Sequence, residues 1–320
     1  MNLLILLHMN IFLAIFTYLA YAFIFVMYTR KVVKYFRMPV HLRWELYPIP
    51  HEEKYHYGGS YFEDVDWWTK TRRKRFLKSI ISFFKEYLYF ESYFKKQKSY
   101  WIALYVFHIG SILLIAFQVL CFLSAIALVL GIRVSAESSD LTGRAFYYLI
   151  LFTGVICFIS GIFGSIGLFI KRLSDENLKF YASPAMYFGY SFNLLLFLSI
   201  FYAWYFADPT FSGYRQFWVG LITFSPVHVE PAWAIYIIII ALHLIYLPFT
   251  YVFHYISRIF VFFLIRWDDK PNLRGSKLEK EIERLLEQRV TWRGPHVRYG
   301  KSWRQNALET VHQDQEPIGL

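Results

Sequence analysis

Three histidines lie inside otherwise apolar stretches of this chain, and their spacing carries the first chemical inference. His108 sits in the run YWIALYVFHIGSILLIAF, and His243 and His254 sit in AWAIYIIIIALHLIYLPFTYVFHYISRIFVFFLIRW. An imidazole in hydrocarbon is costly, so an intramembrane histidine marks a functional site by default. The two runs are expected to cross a membrane in opposite senses. His108 then lies about 12 Å from the edge where its span begins, and His254 about 18 Å from the edge where its span ends, at 1.5 Å per residue. Antiparallel histidines at matched depth can clamp a haem iron from both faces. A haem held by two neutral imidazoles is coordinatively full, which suits electron transfer and not oxygen binding. The competing structural reading has each imidazole bonded to a carbonyl or hydroxyl of a neighbouring helix.

His243 lies on nearly the same helical face as His254, about 16 Å away. It is a candidate for a second haem, with His8 at about the same depth if the first span packs nearby. Gln118, ten residues beyond His108, sits where another ligand would be expected, but an amide is a poor iron ligand. A quinone carbonyl needs a donor such as histidine or glutamine, so Gln118 and His243 are also candidates for a quinone site, with Arg133 beside them. No residue is assigned a catalytic role. The other histidines carry less. His51 and His56 in HEEKYH are five apart, the wrong spacing for a zinc pair on one helical face, and with His41 they read as loop residues. His228 falls in a link between spans, where an exposed position or the entrance to a quinone site would account for it. His296 and His312 fall in the tail and read as surface residues.

These residues need a membrane scaffold, and the composition supplies one. Of 320 residues, 57% are hydrophobic and 22% aromatic, and several apolar runs exceed the ~18 residues that span a bilayer. The fold class expected is all-α: a polytopic five-helix membrane bundle with a cytoplasmic insert and a C-terminal tail. Spans are expected at about 3–28, 100–132, 145–170, 185–207 and 231–267. The corresponding division is span one at 1–29, the insert at 30–99, a four-span haem-binding bundle at 100–266 and the tail at 267–320. Gly161, Gly164 and Gly167 in span three offer close helix contact. The first segment lacks a basic leader and a small-residue cleavage site, so it reads as a retained span.

The net charge of +11 is unevenly placed. The insert (Lys70, Arg72, Arg73, Lys74, Arg75 and onward), the link after span three and the tail are basic, and the other links are poor in Lys and Arg. The positive-inside rule then puts the N-terminus outside and the C-terminus in the cytoplasm of a cytoplasmic (inner) membrane. This distribution accounts for the charge without a nucleic-acid partner. Cys121 and Cys157, the only cysteines, both lie in apolar runs. That excludes a disulfide framework, a CxxCH haem attachment site and a cysteine-held iron–sulfur cluster within this chain. In the tail, Ser276 with Glu279 has the spacing of a capping box ahead of an amphipathic helix carrying Leu278, Ile282, Leu285 and Leu286. That helix packs on a partner or on the insert, or lies on the membrane surface.

The bis-histidine pattern resembles the gamma subunit of respiratory nitrate reductase, a five-span membrane cytochrome b that oxidises quinol. FHIG at 107–110, PFTYVFH at 248–254 and IKRLSDENLKFYASP at 170–184 carry the resemblance. It implies haem b on His108 and His254. It departs at Gln118 and Tyr236, which stand where that family has its second histidine pair. PVHLRWELYPIPHE, YGGSYFEDVDWW and VTWRGPHVRYGKSW are similar to the membrane subunits of the Tmc, Hmc and Dsr redox complexes of sulfate-reducing prokaryotes. That similarity implies sulfate respiration and a cytoplasmic iron–sulfur partner of the heterodisulfide-reductase D type. It also implies a periplasmic multihaem cytochrome c and menaquinone, with this chain as the electron-transfer subunit of a quinone-linked oxidoreductase complex. Trp44, Tyr47, Trp67 and Trp68 among charged residues of the insert have the composition of an interface core, or of a self-packed cap. The rival readings are a haem-free membrane anchor and a histidine-based proton-relay transporter. The second expects intramembrane carboxylates, which spans two to five almost lack.

Overall fold

The computed structural model describes residues 3–37, 65–66, 69, 76–225, 227–250, 254–257, 273–294 and 297–309. The insert's basic cluster at 70–75, its aromatic residues 44, 47, 67 and 68, and His41, His51, His56, His296 and His312 lie outside the described residues. The described chain is all-α. Five of its helices are long and apolar enough to cross a membrane, and the chain is a membrane protein. They are α1 (Leu3–Arg37), α4 (Lys98–Val129), α5 (Leu141–Ser174), α7 (Pro184–Phe206) and α9 (Pro231–Tyr246), the last reaching that length together with the 3-10 turn that carries it to Phe249. Shorter helices are α2 (Phe76–Phe84), α3 (Glu91–Lys96), α6 (Glu176–Phe180), α8 (Ser212–Ile222), α10 (Lys277–Leu286) and α11 (Trp303–Leu308).

The chain divides into two compact units. The first, residues 1–30 and 85–253, contains the spans. There α4 packs along α5, α5 along α7 and α7 along α9, with α8 against α4. Glycines set the closest approach. A Cβ on Gly164 would lie 2.3 Å from the Phe107 backbone nitrogen, and one on Gly110 would lie 2.5 Å from that of Gly161. A Cβ on Gly167 would lie 3.1 Å from the Cβ of Ala103, so all three glycines that the sequence offers for contact face a neighbouring helix. At the end of α4, Gly131 adopts φ +88°, which glycine reaches without a Cβ penalty. Its N–H donates to the Leu128 carbonyl and that of Ile132 to Ala127, closing the helix in a Schellman motif.

Two features depart from the sequence reading. The link between the fourth and fifth spans contains α8, a buried helix. Asp208 sets its start, accepting hydrogen bonds from the Thr210 and Gly213 amides and from the Thr210 hydroxyl. The single helix expected from 231 to 267 instead stops at Tyr246. A 3-10 turn follows at Leu247–Phe249, and Thr250 is extended. Pro248 explains the stop, because its nitrogen carries no hydrogen and its ring collides with the preceding turn.

The second unit comprises residues 31–84 and 254–320. It contains α10, capped as its spacing predicts: Ser276 Oγ accepts from the Glu279 amide, and the Glu279 carboxylate accepts from Gly275 N–H. The stretch after α10 folds back on itself, with Arg289 opposite Ser302 and Gly294 opposite Val297. A full capping box then opens α11 at Ser302 and Gln305.

Candidate functional site

His108 is half-buried on α4, within the first unit. Its Nδ1 lies 2.7 Å from the Leu104 carbonyl oxygen. A carbonyl only accepts, so Nδ1 carries the proton and the imidazole lone pair is on Nε2. A backbone carbonyl on the far nitrogen is the usual way a protein fixes the tautomer of a ligating histidine. Phe90 closes one side of the ring at 4.6 Å between centroids. Phe90 is buried and holds φ 55°, a left-handed conformation that costs a side chain-bearing residue about 1–3 kcal/mol. The next residue back, Phe107, is pinned by Gly164 of α5. The site thus depends on a helix crossing and a strained turn.

A second site lies between α1, α4 and α8. It is a cavity of about 520 Å³ lined by Thr17, Tyr21, Gln118, Phe122 and Trp218, with Tyr18, Phe224 and aliphatic residues completing the walls. Two buried polar atoms here, Thr17 Oγ1 and Gln118 Nε2, have no hydrogen-bond partner among the described residues, and Trp218 Nε1 faces the Tyr214 hydroxyl. Unpaired buried donors are expensive and point to an absent ligand or water. The Tyr214 hydroxyl donates to Gln118 Oε1 at 2.7 Å, and the NH₂ group has no partner among the described residues. Tyr18 and Phe224, stacked at 6.0 Å, separate this cavity from a smaller one of about 220 Å³. Phe224 at φ 54° and Phe211 at φ 58° hold the two ends of α8 in left-handed turns.

The remaining sequence candidates fall as follows. Tyr214 stands between Gln118 and Tyr236, its hydroxyl on the first and its ring 5.2 Å from the second, and Tyr236 is fully buried. His243 is 5% exposed on α9, with Phe192 of α7 at 5.3 Å, and its Nδ1 has no hydrogen-bond partner among the described residues. Arg133 is exposed in the α4–α5 link, and neither cavity is lined by it. His228 is exposed, with Nε2 3.5 Å from a Glu230 oxygen. His8 falls on α1 where side chains lie outside the described residues. His254 is exposed in a helical turn at 254–257 of the second unit. No group of three or more His, Cys, Asp or Glu is placed to hold a metal ion among the described residues, whereas a haem iron asks only for axial imidazoles.

Sequence reasoning missed Thr17, Trp218 and Arg215. Thr17 and Trp218 look like ordinary interfacial or core residues until the fold brings them to the wall of one cavity. Arg215, the one basic residue of the link after span four, is 4% exposed within α8. Its Nη1 donates to the Thr210 carbonyl at 2.9 Å, and its Nε is unpaired among the described residues. Burial pushes the guanidinium below its ordinary pKa, yet arginine starts so high that it keeps its charge.

Comparison with protein-family models, curated proteins and solved structures finds no match to this chain.

Proposed function

We propose that this chain is a membrane cytochrome b subunit that passes electrons between menaquinone, or a periplasmic multihaem cytochrome c, and a cytoplasmic iron–sulfur partner. The observation that carries the reading is the α1–α4–α8 cavity. Its walls are apolar, and Gln118 Nε2 and Thr17 Oγ1 are buried beside it without partners among the described residues. Such a lining suits a flat apolar molecule with hydrogen-bonding oxygens, which describes a quinone head. His108 supplies the second support. With Nδ1 on a backbone carbonyl, its Nε2 has the chemistry of an axial ligand. His254 is the proposed second ligand of one haem b on its place in PFTYVFH at 248–254, which carries the family resemblance; the break at Leu247–Phe249 removes the continuous helix on which its depth was reckoned. The haem would supply one-electron transfer, and the protein's part is to orient it and set its potential.

The reading is for one haem. Tyr214 occupies the space between Gln118 and Tyr236, where the nitrate-reductase-like family has its second pair. His243, buried with an unpaired Nδ1, is the donor available to a further ligand. The proposed orientation, N-terminus outside and C-terminus in the cytoplasm, rests on the Lys/Arg bias and puts the cavity in the outer half of the bilayer.

The test is haem per chain, by reduced-minus-oxidised spectrum and pyridine haemochrome, in wild type, His108→Ala and His254→Ala. One b-type haem, lost in both variants, is expected. A colourless wild-type protein would return the chain to an anchor or a transporter.

A further inference from the structure

The α4–α5 crossing ends on a cluster of hydrogen-bond donors that lack an anion. The two helices meet turn by turn, Gly110 with Gly161, Phe107 with Gly164 and Ala103 with Gly167. One turn further on, Lys171 Nζ donates to Ser99 Oγ at 3.1 Å. Ser99 is the acceptor there, so its own hydroxyl hydrogen is left without an acceptor among the described residues. Lys98, beside it, has its Nζ 5.6 Å from the centre of the Phe94 ring. Neither lysine is in an ion pair among the described residues. The carboxylates nearest in sequence are engaged elsewhere, Glu91 with Lys95 at 2.7 Å and Asp175 with the Leu178 amide at 3.1 Å, and Glu176 is exposed. Arg172 adds charge but serves the protein, its Nη1 donating to the Leu178 carbonyl at 3.1 Å.

This end of the crossing lies at headgroup depth. The 32 residues of α4 and the 34 of α5 make helices of about 48 and 51 Å, against about 30 Å of hydrocarbon. The first turn of α4 and the last of α5 therefore project into the interface. Aromatic residues mark the same level. Trp101 Nε1 donates to the Tyr89 carbonyl at 2.7 Å, and Phe180 and Tyr181, shortly after α5, are 82% and 75% exposed. Tryptophan and tyrosine beside lysine at a helix end are the composition of a bilayer interface.

We infer that Ser99, Lys171 and Lys98 bind the phosphate of an anionic phospholipid at the end of the α4–α5 crossing. After its bond to Ser99, Lys171 keeps two N–H donors; Lys98 has three and Ser99 one. These suit the two non-bridging oxygens of a phosphodiester. A zwitterionic headgroup would bring a second cation against both lysines. The acyl chains would lie along the apolar outer faces of the helices, where Ile102 and Ile170 are more than half exposed. The inference stands apart from the haem and quinone readings, because none of its donors belongs to either site.

The experiment counts lipids retained by the full chain in detergent, by native mass spectrometry, with phosphatidylglycerol and phosphatidylcholine of identical acyl chains. Wild type is expected to retain phosphatidylglycerol in preference. Lys171→Gln and Lys98→Gln should each weaken that binding by about fivefold, the weight of one basic side chain beside an anionic surface, and Lys171→Arg should keep most of it. Should Lys171→Gln not fold, Lys98→Gln and Ser99→Ala carry the same test. Lys179→Gln is the control, an exposed lysine of α6. If it costs as much as Lys171→Gln, the preference reads only the charge of that end of the bundle and the inference is overturned. Equal retention of the two lipids by wild type overturns it too. Displacement of phosphatidylglycerol by excess inorganic phosphate would make this a site for free phosphate and refute the lipid as its ligand.

Discussion

Gly164→Ala tests whether the α4–α5 crossing positions His108. The added methyl carbon would lie 2.3 Å from the backbone nitrogen of Phe107 and 2.4 Å from its Cα. Non-bonded heavy atoms rest at about 3.5–4.0 Å, so α4 must retreat by roughly 1 Å or more. No side-chain rotation relieves the contact, because the atoms struck are backbone. Overpacking of this kind costs about 1–3 kcal/mol, against which alanine in a helix returns at most about 1 kcal/mol over glycine. The residue after the clash is His108, so the displacement falls on the proposed haem ligand. Gly189→Ala is the control. Its Cβ would meet only the Tyr246 hydroxyl at 3.6 Å, an ordinary contact, and the substitution is expected to be neutral or slightly stabilising. Thermal unfolding of both variants in detergent, followed by tryptophan fluorescence, measures stability, and the b-type absorbance per chain measures the site. Gly164→Ala should melt below wild type and bind less haem, and Gly189→Ala should do neither. If Gly164→Ala melts with wild type and keeps its haem, the crossing is looser than the backbone contact requires and the reasoning fails.

Two further outcomes follow from particular contacts. Gln118→Leu removes the amide and strands the Tyr214 hydroxyl, at about 1–3 kcal/mol; adding Tyr214→Phe should recover much of that stability but not menadione binding, and recovery of both would dissociate the amide from the ligand. In the second unit, Lys301 and Arg298 hold the Glu309 carboxyl below its ordinary range, Lys301 through a hydrogen bond. That pairing is fully present above the ordinary carboxylate range and is lost as pH falls through the lowered value. The protection factor of amides at the end of α11, that is the exchange rate relative to the intrinsic rate at each pH, should therefore fall in acid in wild type and be low at all pH in Glu309→Gln; a variant with the wild-type profile would count against the pair.

The spans were legible in the sequence because bilayer crossing demands long apolar runs, and such runs leave an unmistakable one-dimensional trace. The glycine contacts of α5 and the Ser276 cap were legible for a similar reason, since each depends on residue type at short spacing. Gln118 was marked by its offset from His108 and by being an amide in an apolar run. What tertiary structure alone decided is where side chains from distant segments converge. Thr17 and Trp218 are about two hundred residues apart, and only the packing of α1 beside α8 brings them, with Gln118, to the wall of one apolar cavity. Arg215 reads as a loop cation because charge predicts exposure; its burial follows from α8, a helix whose start is fixed by hydrogen bonds to Asp208 and not by hydrophobic periodicity. Span five reads as continuous because hydropathy is indifferent to backbone geometry, whereas Pro248 is not. Hydropathy places segments in a membrane, and packing and hydrogen-bond geometry decide which of their polar atoms are left to meet a ligand.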